Sequence, residues 1–259
     1  MVHADVLLCR RSALTLILSA CLSTIVHAIP LAPQYAGTYS NGNGVNSRWV
    51  QVATDWKGTN NLSEEGIWGL DDQAAVINLQ NGDAQVIQTL SQQVSQINFA
   101  DQVYISTWGS TWGMAPLAPI FDNAPGENQE NWATRFSGYV SIIDPGEYNF
   151  GILFDDGFRF SLIGANGDTV SMEMDGLNPR ERLGFDQNLQ LTSGLYAFQL
   201  DAYEHLEAGV IQLGWWKPGA DFSVIPRENL FTQPVPEPSM LLLMLPGLAL
   251  LGRRKLHRI

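Results

Sequence analysis

From Ile97 onward the apolar side chains fall on every second position. Tyr148, Phe150, Ile152 and Phe154 alternate with Asn149, Gly151, Leu153 and Asp155, and the same period returns in Phe158, Phe160, Leu162 and in Tyr196, Phe198, Leu200. A period of two marks strands with one face buried. Turn-forming groups separate the runs: Asp144-Pro145-Gly146, Asp156-Gly157, Ala165-Asn166-Gly167-Asp168, Ser193-Gly194 and Pro218-Gly219. Short strands at this spacing predict a mainly β chain folded as an antiparallel β-sandwich of the jelly-roll kind.

Upstream the pattern differs. Residues 33–61 are polar and rich in Gly and Asn, with Tyr35, Tyr39, Trp49 and Trp56 scattered among them, which predicts loops and one short strand around Trp49 to Val52. Two helices are predicted next. Asp71-Asp72 would cap Gln73 to Leu79, and Asp83 would cap a second helix with Val86, Ile87, Leu90, Val94 and Ile97 on one face. The expected layout is a short helical N-terminal elaboration over 29–96 followed by a β-sandwich over 97–233.

Both ends of the chain carry apolar runs that do not belong to a folded core. Residues 1–28 combine Arg10-Arg11, an apolar stretch from Ala13 to Val26 and the small-x-small site Val26-His27-Ala28, the layout of a secretory signal peptide that would leave Ile29 as the first mature residue. Leu18-Ser19-Ala20-Cys21 offers a competing lipobox, with Cys21 as a lipid-carrying N-terminus. At the other end, Pro236-Glu237-Pro238 precedes an apolar run from Met240 to Leu251 and a basic terminus containing Arg253, Arg254 and Lys255. Twelve helical residues reach about 18 Å, short of the roughly 30 Å hydrocarbon core, so the tail predicts a thin or tilted transmembrane helix with its basic end in the cytoplasm.

The order of motif, apolar helix and basic terminus over 234–259 resembles the PEP-CTERM sorting signal. The resemblance implies an exported protein of a Gram-negative bacterium that makes extracellular polysaccharide. It implies anchoring in the inner membrane by the C-terminal helix, then processing by a membrane exosortase, with the cell surface or the extracellular matrix as destination. An ordinary membrane anchor is the alternative.

Composition sharpens this picture. Cys9 and Cys21 both fall in the predicted signal, so the exported part has no disulfide, no thiolate nucleophile and no cysteine metal site. The whole chain carries a formal charge of −12. Between Ile29 and Pro238 eight Lys and Arg face 25 Asp and Glu, a formal charge of −17. Such a surface repels nucleic acid and anionic lipid, and leaves neutral polysaccharide and divalent cations as partners.

Within the sandwich region five segments occur in order: Gln96-Ile97-Asn98-Phe99, Phe136-Ser137-Gly138-Tyr139-Val140, Pro145-Gly146-Glu147-Tyr148-Asn149-Phe150, Phe154-Asp155-Asp156-Gly157-Phe158-Arg159, and Ser193-Gly194-Leu195-Tyr196 running to Leu213-Gly214-Trp215-Trp216. Together they resemble the protective-antigen fourteen-kilodalton domain, a β-sandwich module of bacterial toxins, glycosidases and yeast adhesins. In its adhesin branch two adjacent aspartates bind calcium, which in turn holds vicinal sugar hydroxyls. The resemblance implies a ligand site at Asp155, Asp156, Gly157 and Trp216, with calcium on Asp155 and Asp156.

The chemistry is consistent, since calcium takes six to eight hard oxygens and carboxylates supply charge and part of the shell. Neighbours on a regular strand point to opposite faces, so both can reach one ion only where the strand stops, and Gly157 permits a break. Asp-Asp-Gly is also an ordinary turn sequence. Asp221, or Glu204 with Glu207, are candidates for further ligands. Exposed indoles at Trp108, Trp112 and Trp132 could stack on sugars, although sandwich cores also need large side chains.

No enzyme signature stands out. His205 is the one histidine between Ile29 and Pro238, no Gly-x-Ser-x-Gly elbow accompanies it, and a three-histidine zinc site is excluded. Three readings stay open: a non-catalytic carbohydrate-binding surface protein, a purely structural matrix protein, and a glycan-active enzyme on the same scaffold.

Overall fold

The computed structural model describes residues 28–58, 64–100, 115–116, 130–206 and 209–234. The predicted signal peptide and sorting tail lie outside them, except for Ala28 and Pro234. Among the described residues no helix is long and apolar enough to cross a membrane.

The N-terminal elements are β1 (Ile29–Leu31), β2 (Tyr35–Ala36), β3 (Val45–Val52), α1 (Leu70–Val76), β4 (Val86–Val94), β5 (Asn98–Ala100) and β6 (Ala115–Pro116). The long strands follow: β7 (Trp132–Ile142), β8 (Gly146–Asp155), β9 (Gly157–Ile163) and β10 (Thr169–Met174). Then come β11 (Glu181–Gly184), β12 (Leu189–Leu191), β13 (Gly194–Glu204), β14 (Val210–Trp216), β15 (Ser223–Val224) and β16 (Leu230–Phe231).

They form a mainly β sandwich of two sheets. The first runs β1-β12-β8-β14-β5-β6, with β11 also on β8 and β15 also on β14. The second runs β10-β9-β13-β7-β3-β4, with β16 on β7 and β2 on β13. Most pairs are antiparallel, whereas β1 joins β12 and β6 joins β5 in parallel.

The period-two residues face each other between the sheets. Tyr148, Phe150, Ile152 and Phe154 of β8 meet Phe158, Phe160 and Leu162 of β9 and Tyr196, Phe198 and Leu200 of β13 in one buried cluster. Cross-sheet ring pairs tie the layers: Phe150 and Phe160 at 5.6 Å, Trp49 and Phe99 at 5.5 Å, Phe154 and Phe158 at 4.7 Å between centroids. Such contacts add about 0.5–1.5 kcal/mol each to the area they bury. Of the adjacent tryptophans at the end of β14, Trp215 points into this core and Trp216 does not.

The N-terminal segment is more strand-rich than its sequence pattern predicts. β3 spans eight residues between β4 and β7, with Trp49 packed in the main core and Val50 and Val52 on the opposite face. Those two join Trp56, Ile67, Leu70, Val76, Ala133 and Tyr203 in a second cluster, so α1 covers the outer face of the second sheet. α1 begins at Leu70, one turn earlier than expected. Its N-cap is Gly69 with no side-chain cap, and Asp71 and Asp72 sit in the first turn, where negative charge suits the helix dipole.

The predicted second helix is instead strand β4 at the edge of the sheet. Leu90 and Val94 lean on the main core while Ile87 is 57% exposed. Gln88 and Gln92 occupy half-buried positions that disguise the period of two, and the register shifts opposite Gln51 and Val52.

This arrangement leaves Ile87 exposed on the edge strand and buries Trp49 on the strand beside it. Ile87→Lys should change unfolding free energy by no more than about 0.5 kcal/mol, as for other surface changes. Trp49→Ala should lose about 3–5 kcal/mol. Equilibrium denaturation of both variants checks this.

Candidate functional site

Strand β8 ends at Asp155 in the first sheet and β9 starts at Gly157 in the second, so Asp156 alone spans the crossing. Asp155 is paired with Val210 and Gly157 with Tyr203. The Asp155–Asp156 peptide bond is cis. Beside this corner β13 leaves the second sheet at Glu204, and the chain re-enters the first at Val210. The two crossings are fastened together: Asp156 N donates to Tyr203 O at 3.0 Å, and His205 N donates to Asp156 Oδ2 at 2.8 Å.

Fastening the corners brings three carboxylates together. One oxygen each from Asp155, Asp156 and Glu204 lies within 4.8 Å of the others. Glu204 is fully buried, Asp156 buried and Asp155 half-buried. The segment between β10 and β11 closes the third side. Asn178 Nδ2 donates to Asp156 O at 3.2 Å and to Asp175 O and Gly176 O, while Arg180 Nη2 stands 3.8 Å from Asp155 Oδ2. Together they shape a cleft of about 410 Å³, with exposed Leu177 and Leu206 at its rim.

Gly157 serves this architecture through the space it leaves empty. A Cβ there would stand 2.3 Å from Tyr203 Oη. That hydroxyl donates to Gly176 O at 2.6 Å and so holds the β10–β11 segment over the corner. Burial pushes the Tyr203 phenol up, and Asp175 and Asp156 push it further, so it stays a neutral donor.

His205 is packed rather than poised. Its ring lies 4.6 Å from that of Trp68, its Nδ1 is 3.2 Å from Asn131 Oδ1, and burial lowers its pKa. Nothing in that setting presents it as a general base to the cleft.

The expected site residues thus divide. Asp155, Asp156 and Gly157 share the corner, and Glu204, one of the candidate further ligands, joins them. Trp216 does not. It pairs with Asn149 six residues along β14 from Val210, roughly 20 Å away at strand rise, and packs against Phe222 at 4.7 Å. Asp221 is exposed beyond that same end of β14. Trp132, considered as a sugar platform, is fully buried in the core. Glu207, Trp108 and Trp112 lie outside the described residues. Asn178 and Arg180 were not foreseen. Their only local signal is a Gly-x-Asn-Pro turn at Gly176 to Pro179.

The donor set fits calcium. Three carboxylates converge from two chain segments, and the cluster opens on a cleft through which solvent or ligand oxygens can complete a shell of six to eight.

No known protein family matches the chain, and no curated protein does either. Among solved structures it is similar to the PA14 sugar-binding domain from an RTX adhesin, at 15% identity over 75% of this chain and 100% of that one, with a TM-score of 0.47. It is also similar to the A domain of epithelial adhesin 6 from Candida glabrata, solved with Galβ1-3GlcNAc, at 14% identity over 82% of this chain and 96% of that one, TM-score 0.47. A third is the PA14 domain of an antifreeze protein, at 18% identity over 75% and 94%, TM-score 0.45.

Gly157→Ala should destabilise the chain by about 1–3 kcal/mol through overpacking against Tyr203. Adding Tyr203→Leu to that variant should cost less than the sum of the two single changes, because the clash has gone. Denaturant unfolding of the four chains measures the coupling.

Proposed function

We propose that the chain is a non-catalytic, exported surface or matrix protein that binds polysaccharide through a cation held by Asp155, Asp156 and Glu204. The observation carrying this reading is the convergence of three carboxylates within 4.8 Å, two of which, Asp155 and Asp156, line an open cleft while Glu204 is fully buried beside them. Carboxylates this close repel one another and are costly to bury, and a divalent cation offsets both effects. A calcium ion there would keep open positions toward the cleft, and vicinal hydroxyls of a sugar are hard oxygens of the kind it takes. The chain's own residues shape the remaining wall: the Asn178 amide at the side, Leu177 and Leu206 at the rim for the apolar face of a sugar ring.

Export is supported by the two terminal segments. The strong negative charge there favours a neutral glycan over an anionic one. In this reading exosortase acts at the Pro236-Glu237-Pro238 tail, and the domain works among extracellular polysaccharides.

Retention of the full chain on the producing cell's exopolysaccharide should require calcium, be lost with chelator and return on adding calcium. Asp155→Asn with Asp156→Asn should abolish retention while leaving the circular dichroism spectrum unchanged. Retention that ignores chelator and survives the double substitution would place glycan binding away from this corner, and no retention under any condition would favour a structural role without glycan binding. The intact mass of protein recovered from the cell surface should lack residues 1–28 and the tail.

A further inference from the structure

The three carboxylates have a cation of the chain's own beside them. Arg180 approaches Asp155 at 3.8 Å, its side chain is only 11% exposed, and it lines the same cleft. The ion pairs of Lys57 with Glu65, Arg135 with Asp201 and Arg159 with Glu173 engage other carboxylates. A guanidinium held out of water against a group of buried carboxylates lowers the cost of leaving that group without a metal. The same fixed positive charge opposes a divalent cation arriving a few ångströms away.

Resting on the calcium reading above, we propose that Arg180 is a built-in counter-cation: it holds the Asp155, Asp156 and Glu204 cluster in the metal-free state and sets the calcium concentration at which the site loads. The location of Arg180 suits that role. It follows Asn178 and Pro179 on the segment that Tyr203 and Asp156 tie down, which sets its guanidinium beside Asp155 and at the wall of the cleft. Weak loading matches an exported module, since extracellular calcium sites operate at roughly 10⁻⁴–10⁻³ M. Calcium at millimolar concentration would displace the guanidinium and open the metal's remaining positions to ligand.

The test uses the full chain, stripped of metal, as wild type, Arg180→Gln and Arg180→Lys. Calcium is titrated calorimetrically, and thermal melting is followed in chelator and in saturating calcium. Arg180→Gln should bind calcium about tenfold tighter, and Arg180→Lys should stay near wild type. In chelator Arg180→Gln should melt below wild type, and saturating calcium should remove most of that gap. Equal or weaker calcium binding by Arg180→Gln would overturn the proposal and leave the metal site standing. So would a melting deficit that calcium does not reduce, because Arg180 would then act only by packing. Absence of calcium binding in all three chains would overturn the metal site itself, and this role of Arg180 with it.

Discussion

The structure turns on a sheet-to-sheet crossing one residue long. Phe154 stands one residue before the end of its strand in one layer, Phe158 near the start of its strand in the other, and their rings lie 4.7 Å apart in the core. Burying both rings fixes where the chain must change sheets and leaves only Asp155 to Gly157 to do it. Because β13 and β14 are the neighbours of those strands, their own crossing runs alongside, and the hydrogen bonds that Asp156 donates to Tyr203 O and accepts from His205 N lock the two corners together. The carboxylate cluster is a product of core packing, held at the end of the two central hairpin-like pairs rather than on a free loop. With no cysteine between Ile29 and Pro238, this aromatic layer has no disulfide to help it.

That origin explains the electrostatic character of the site. A loop could relax three acidic side chains into solvent, but here Glu204 and Asp156 are buried by the same contacts that close the sandwich. The remaining freedom lies in what neutralises them: the nearby guanidinium, a cation from solution, or both in turn. Function on this view is an exchange of counter-charge at a rigid corner, with the cleft deciding which ligand can share the incoming ion.

Much of the fold was legible in the sequence wherever one strand face was uniformly apolar. β8, β9 and β13 declare themselves through Phe, Tyr and Leu at alternate positions, and the turns between them through Asp, Pro and Gly. β4 does not, because Gln88 and Gln92 sit at half-buried places where the eye expects apolar residues, and Val86, Leu90 and Val94 happen to fit a helical stripe equally well. β3 was seen only in part since Ser47 occupies a buried position near its start. The site was half legible. Asp155 and Asp156 are adjacent in sequence, whereas the Glu204 and Arg180 contributions depend on the pairing of β9 with β13 and on the path of the segment after β10, long-range facts that no local spacing encodes.

The most direct test of the central claim is a crystal structure of the protein grown in calcium, with the ion located by anomalous scattering. A single calcium peak bonded at about 2.3–2.6 Å to oxygens of Asp155, Asp156 and Glu204 is the predicted result. A well-ordered corner in saturating calcium, with no peak among the three carboxylates and Asp156 engaged only with His205 N, would contradict it.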